Sequence, residues 1–198
     1  MIVTPEYVTE VTAPTYEPVS LAEAKAHLRV DIPDEDILIS ALIVAARQRC
    51  ELYTNRAFVQ RTLRADIDYF ADEICLPYAP IVSITHIKYY TAASPSVLTT
   101  LSSGVYYLSR GRVLRNYGQN WEPTDSREGA VQITYVAGYA STSSPQYPPS
   151  DVPQAVKQAM CLYIGDMYEN REAQVLYPGA MQDNRTAENL LNFYRIYR

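Results

Sequence analysis

Cysteine is scarce in this 198-residue chain: Cys50, Cys75 and Cys161 are odd in number and far apart. No CxxC and no Cys/His pair accompanies them, so neither a zinc site nor a disulfide framework is indicated, and a reducing compartment fits. Histidine is scarcer still. His27 and His86 stand alone, outside ligand-type spacings such as HExxH. Glycines such as Gly104, Gly111, Gly118 and Gly129 form no GxGxxG or Walker pattern, and no GxSxG elbow is present. They read as turn residues. No catalytic, cofactor or metal site follows, and no enzyme is expected. A long apolar run is also missing. The most apolar stretch, Ile37 to Ala46, contains Ser40 and falls well short of the ~20 residues a membrane span needs. The opening Met1-Ile2-Val3-Thr4-Pro5-Glu6-Tyr7 has neither a basic region nor an apolar core, so no signal peptide is expected. Asn184-Arg185-Thr186 fits a glycosylation sequon, which without a secretory signal is taken as chance. Positive charge is short as well: 17 Lys and Arg oppose 22 Asp and Glu, a net charge of −5. Nucleic-acid binders are usually basic, because they displace counterions from phosphates. If DNA meets this chain, passage without grip fits better than binding.

What is present describes a folded domain. Hydrophobic residues make up 47% and charged residues 20%, ordinary values for a packed protein. Tyrosine is the anomaly, with 18 against 3 Phe and 1 Trp. A tyrosine buries a large ring and keeps one polar end, which suits surfaces that become interfaces. It equally suits half-buried sheet faces.

Periodicity divides the chain. Residues 1–18, with Pro5, Pro14 and Pro18, read as an extended arm. Residues 19–171 read as one domain. Ser20-Leu21-Ala22-Glu23 is a capping-box pattern that opens a helix over about 20–28. The acidic run Asp31 to Asp36 favours a second helix N-terminus, giving a helix over about 34–53. Period-two alternation from Arg61 to Tyr69, the strands at Glu73 to Leu76, Val82 to Tyr90, Val105 to Leu108 and Arg112 to Leu114, and Val131 to Val136 predict an antiparallel β insertion over about 60–137. A linker over 138–150 leads to a third helix over about 152–170, with Pro153 in its first turn. Residues 172–198 read as a C-terminal arm with a short helix. The expected fold is α+β: N-terminal helices and a returning third helix packed together, with an antiparallel β insertion and a C-terminal helical tail.

Several residues are candidates for partner contact. The second helix is apolar nearly all round in its first half, so one side should be covered by the sheet or by a neighbouring subunit. Ile39 and Ile43 are the expected subunit contacts. Arg110, Arg112 and Arg115 cluster at a hairpin and suit DNA phosphates or an acidic partner; a solvated hairpin tip is the alternative. Asp66 and Asp68 share a strand face, read as solvated rather than as a cation site. Leu190, Leu191, Phe193, Tyr194, Arg195, Tyr197 and Arg198 mix apolar anchors with arginine, as a helix laid into a groove would, ordered mainly on binding. The alternative is that this helix packs on its own subunit.

The order of several segments resembles one family. Pro18-Val19-Ser20-Leu21-Ala22-Glu23-Ala24-Lys25-Ala26-His27-Leu28, Asp34-Glu35-Asp36-Ile37-Leu38, and Cys50-Glu51-Leu52-Tyr53-Thr54-Asn55-Arg56 are similar to the helices of phage head–tail connector (adaptor) proteins. Leu76-Pro77-Tyr78-Ala79-Pro80-Ile81-Val82-Ser83-Ile84, Val131 to Tyr139, Val152-Pro153-Gln154-Ala155-Val156 and Tyr168-Glu169-Asn170-Arg171 continue the likeness. It spans about residues 18 to 171 and corresponds to the long form with a β insertion, found in long-tailed bacteriophages and phage-like particles. The resemblance implies a non-enzymatic virion protein of the neck, assembled in the host cytoplasm. It implies a homo-oligomeric ring, expected as a dodecamer, beneath the portal protein. The ring joins the DNA-filled head to a tail-side neck or stopper protein and lines the DNA exit channel, with no cofactor and no membrane. On this reading the C-terminal candidates dock to the portal. The alternative is a tail-completion or other neck or tail protein.

Overall fold

The computed structural model describes residues 2–5, 7–139, 151–170 and 185–197. The expected linker from 140 to 150, the loop before the last helix, Arg171 and Arg198 lie outside the described residues. The fold is α+β, and the chain divides into two compact units. A strand unit comprises Met1–Pro14 and Gln60–Gly138, and a helical unit comprises Thr15–Val59 and Tyr139–Arg198.

The strand unit holds two sheets. Strands β2 (Tyr7–Thr12), β3 (Arg61–Ile67), β5 (Ile81–Tyr90), β6 (Leu98–Thr100) and β9 (Val131–Ala137) form one, in the order β2-β3-β9-β5-β6. Alternation decides its faces: Leu63, Ala65 and Ile67 of β3 are buried while the residues between them are half-buried. β9 lies centrally, antiparallel to β3 and β5, and its Val131, Ile133, Tyr135 and Ala137 are fully buried. The buried Tyr135 hydroxyl would be costly unpaired, and it donates to the Pro77 carbonyl at 3.1 Å. Strands β1 (Ile2–Val3), β4 (Glu73–Cys75), β7 (Tyr106–Ser109) and β8 (Arg112–Arg115) form the second sheet, in the order β1-β4-β8-β7. Arg110 and Gly111, with φ of 51° and 77°, make the two-residue turn between β7 and β8. Two successive positive φ angles are what a tight hairpin needs to match strand twist, and glycine takes one of them without strain.

The helical unit packs α1 (Leu21–Leu28), α2 (Asp36–Thr54), α3 (Gln154–Glu169) and α4 (Arg185–Asn192) around one core. Ile39, Ile43, Ala46 and Cys50 of α2 meet Val156, Ala159, Met160 and Tyr163 of α3 there. The capping box forms: the Ser20 hydroxyl accepts from the Glu23 N–H at 3.2 Å, and the Glu23 carboxylate accepts from the Ser20 N–H at 2.8 Å. Ser20→Ala should therefore cost about 1 kcal/mol, read as a lower denaturant midpoint with an unchanged slope. α2 ends at Asn55, whose left-handed φ of 55° turns the chain so that the following Arg56 N–H reaches back to the Glu51 carbonyl at 3.3 Å.

This arrangement corrects the expected one. The chain opens in strands where an extended arm before the helices was expected, and the strands are not an insertion alone. β2 pairs antiparallel with β3, and β1 pairs parallel with β4, so residues preceding the helices form one edge of each sheet. The reason is local: Tyr7-Val8-Thr9-Glu10-Val11-Thr12 is rich in β-branched residues and lies between Pro5 and Pro14. Nor is the last helix a tail, since Ala187 and Leu191 of α4 are buried in the helical core.

Candidate assembly surfaces

The cysteines and histidines are dispersed among the described residues. Cys50 is buried, and burial, followed by the neighbouring Glu51 charge, pushes its thiol up to about 12. Burial also raises the Cys161 pKa, and burial together with Lys88 lowers that of His86. Both cysteine shifts disfavour the reactive thiolate. His27 lines a recess of about 490 Å³ in the helical unit, with Glu23, Lys157 and Cys161. Among the described residues no three His, Cys, Asp or Glu side chains are grouped to hold a metal. Asp66 and Asp68 border a second recess of about 650 Å³, in the strand unit. Their oxygens already serve the protein: Asp66 pairs with Arg64 at 3.2 Å, and Asp68 accepts from the Gly129 N–H at 2.8 Å. No helix among the described residues is long and apolar enough to cross a membrane.

The hairpin arginines are not gathered into one basic patch. Arg110 sits exposed in the turn. Arg112 is ion-paired with Glu73. Arg115 donates to the Gln119 carbonyl and to Asn120 Oδ1, both at 2.9 Å, which ties down the following loop. Three positions apart on β8, Arg112 and Arg115 point to opposite faces.

Ile39 and Ile43, expected at a subunit contact, are 0% and 3% exposed within this chain's own core. The side of α2 that faces outward carries Ile37 and Leu52 instead, at 87% and 77% exposure. The apolar pattern runs round both sides of the helix and gave no means of choosing the side that the core takes.

The C-terminal residues are fixed to the end of α2. The Tyr53 hydroxyl donates to Asn192 Oδ1 at 2.6 Å, and the Ile196 N–H donates to the Thr54 carbonyl at 2.9 Å. Asn55 Nδ2 donates to the Ile196 carbonyl at 2.9 Å, and Arg56 Nε donates to the Tyr194 carbonyl. The Arg195 guanidinium lies 4.8 Å from the Tyr53 ring centre and 5.0 Å from that of Tyr197. Leu191 is fully buried and Leu190 and Tyr194 pack against the core, so these three hold the segment to its own subunit. Phe193 and Tyr197, at 89% and 74% exposure, point away from it. An arm ordered mainly on binding does not describe residues 185–197. Leu191→Ala should cost about 2–5 kcal/mol in denaturant unfolding of the chain, the expense of a cavity in a packed core. Deletion from Thr186 would remove this core contact too and would not isolate a docking role.

A buried ionic cluster, missed in the sequence, braces the same helix. Arg47 Nε meets Glu17 at 2.7 Å and Arg47 Nη1 meets Glu51 at 2.9 Å. Glu51 Oε1 also accepts from the Phe58 N–H at 2.8 Å. Burial alone would lower the Arg47 pKa; the bonds and charges of Glu17 and Glu51 outweigh it and raise it. The i,i+4 spacing of Arg47 and Glu51 was the available signal.

Against known proteins, residues 18–94 match the family described as phage gp6-like head-tail connector protein. That segment contains α1, α2, β3, β4 and β5. No curated protein matches the sequence. Among solved structures, the neck of an empty gene transfer agent particle, computed with C6 symmetry, contains a chain 25% identical to this one. Its TM-score is 0.74, and the alignment covers 97% of this chain and 96% of that one. The virion of a native gene transfer agent particle gives 24% identity and a TM-score of 0.74, covering 96% of each chain. The neck of the native particle, computed with C12 symmetry, gives 24% identity and a TM-score of 0.72, covering 97% and 96%. A family match over the first helices and central strands, and one neck fold over nearly the whole length, make this chain similar to phage head–tail connector proteins and support a structural connector role.

Proposed function

We propose that the chain works as one subunit of a homo-oligomeric ring in the neck of a virion or phage-like particle, without enzymatic activity. The ring sits beneath the portal protein, joins the DNA-filled head to a tail-side neck protein, and encloses the channel through which DNA leaves. The observation that carries this reading is the neck fold matched over 97% of the chain. The net charge of −5 supports passage of DNA over gripping it, since a basic lumen would retain phosphates. Portal contact is assigned to the exposed Phe193 and Tyr197, which stand on a segment held by α2 and need little further ordering. A preordered contact surface loses less conformational entropy on docking.

Removing the gene from a producing strain tests the role by electron microscopy. DNA-filled heads without tails, beside free finished tails, are the expected result. Normal tailed particles would refute the proposal, and tails of incomplete structure would favour a tail-completion role. Phe193→Ser with Tyr197→Ser should leave the fold intact and reduce the connector retained on portal-bearing heads. Unchanged retention would remove these two residues from the docking surface.

A further inference from the structure

We propose, on the ring reading above, that the outer face of α2 is where a second copy of this chain docks. At 100° per residue, Ile37, Ala41, Val44, Ala45, Gln48 and Leu52 share one side of the helix, opposite Ile39, Ile43, Ala46 and Cys50 of the core. Ile37, Leu38, Ala41 and Leu52 are exposed, and Val44 and Ala45 are half-buried. Gln48 is the stripe's one polar side chain. The charged residues of α2 are held elsewhere: Asp36 bonds Lys25 at 2.6 Å, Arg47 and Glu51 are buried together, and Arg49 lies 4.2 Å from the Tyr163 ring centre. A helix face turned to water normally carries charge. This one carries none along about 22 Å, the rise of fifteen residues.

The chemistry of the stripe selects its occupant. DNA would be met by cations, and none lies on this face. A protein surface fits, and the symmetric necks in which this fold recurs, computed with C6 and C12 symmetry, favour another copy of the same chain. The stripe also lies within residues 18–94, the segment that matches the connector family, whereas Phe193 and Tyr197 lie outside it. Its size suits a ring contact made cooperatively. One helix width over that length is roughly 200 Å², well below the ~800 Å² per partner of a stable pair. Such a contact does not hold two free subunits together. It becomes effective when each copy is already held beside its neighbour, and the chain then closes a ring without first forming stray oligomers.

A photo-crosslinking amino acid placed at Leu52 of the full-length chain, irradiated in assembled particles, tests the occupant. Adducts at multiples of the 22.4 kDa subunit are expected. An adduct with a protein of another mass, or no adduct in particles that contain the chain, overturns the proposal. Particles that form normal necks without the chain overturn the connector reading itself. In parallel, Ile37→Asp should leave the melting temperature of the isolated chain within about 2 °C and cut its incorporation into particles by more than about tenfold, as a desolvated unpaired charge at an interface does. A large fall in the melting temperature of the isolated chain would show the stripe to be covered by its own subunit, and unchanged incorporation would show it to be solvated.

Discussion

Arg47→Ala should destabilise the helical unit by about 3–5 kcal/mol, a large share of the ~5–15 kcal/mol that holds a domain folded. The loss does not come from the ion pair's own worth. Two buried opposite charges roughly offset their desolvation, but one left alone does not. With Arg47 gone, Glu51, 4% exposed, loses its 2.9 Å bond to the guanidinium and keeps the one from the Phe58 N–H. Glu17 loses its 2.7 Å partner and can turn to water, because a quarter of its side chain is exposed. Arg47→Met keeps most of the stem's packing and should recover little. Arg47→Met with Glu51→Gln should recover more, since the amide oxygen still accepts from Phe58 while the buried carboxylate that lost Arg47 is gone. Denaturant unfolding of the three variants gives the ordering. A double variant no more stable than Arg47→Met would locate the loss in packing rather than in the buried carboxylate.

How much of this was legible depends on whether the signal is local. The Ser20 capping box is a four-residue pattern, and it forms. The alternation of Arg61 to Ile67 is a seven-residue pattern, and β3 occupies it. The strands before the helices were hidden because their partners are distant. β2 is six residues long, and its register with β3, from Tyr7 opposite Asp66 onward, is a tertiary fact that prolines on either side disguise as an arm. The C-terminal segment was misread for a related reason. Its amphipathic ends suit a groove, and the groove is the C-terminal end of α2, reached largely through the segment's own main chain: the Ile196 N–H donates to the Thr54 carbonyl, and the Tyr194 and Ile196 carbonyls accept from Arg56 and Asn55, contacts that leave no pattern in the segment's side chains. The resemblance to the connector family did not depend on these parts, because the matched segment lies over α1, α2 and the central strands.

The side of α2 that faces inward is the remaining lesson, and it carries the second large prediction. Ile37, Ile39 and Ile43 are chemically alike, and sequence alone offered Ile39 and Ile43 as the residues a neighbour covers. The structure separates them: Ile39 is 0% exposed, among the largest fully buried side chains, while Ile37 is 87% exposed. Ile39→Asp should therefore act on the isolated chain, before any assembly. A carboxylate there finds neither water nor a partner among Val156, Ala159 and Met160, so it must either protonate or expel itself. Either course costs several kcal/mol, comparable with the stability of the whole unit. The expected result is loss of the cooperative melting transition and of the near-ultraviolet signal from the buried Tyr163, with the protein largely insoluble on expression. Far-ultraviolet signal from the strands can persist, since the two units have separate cores. An Ile39→Asp chain that melts like its parent would mean that position 39 is not enclosed by α3. The division of α2 into an inner face and an outer one would then have to be reversed, together with the assignment of the outer stripe to a neighbouring copy.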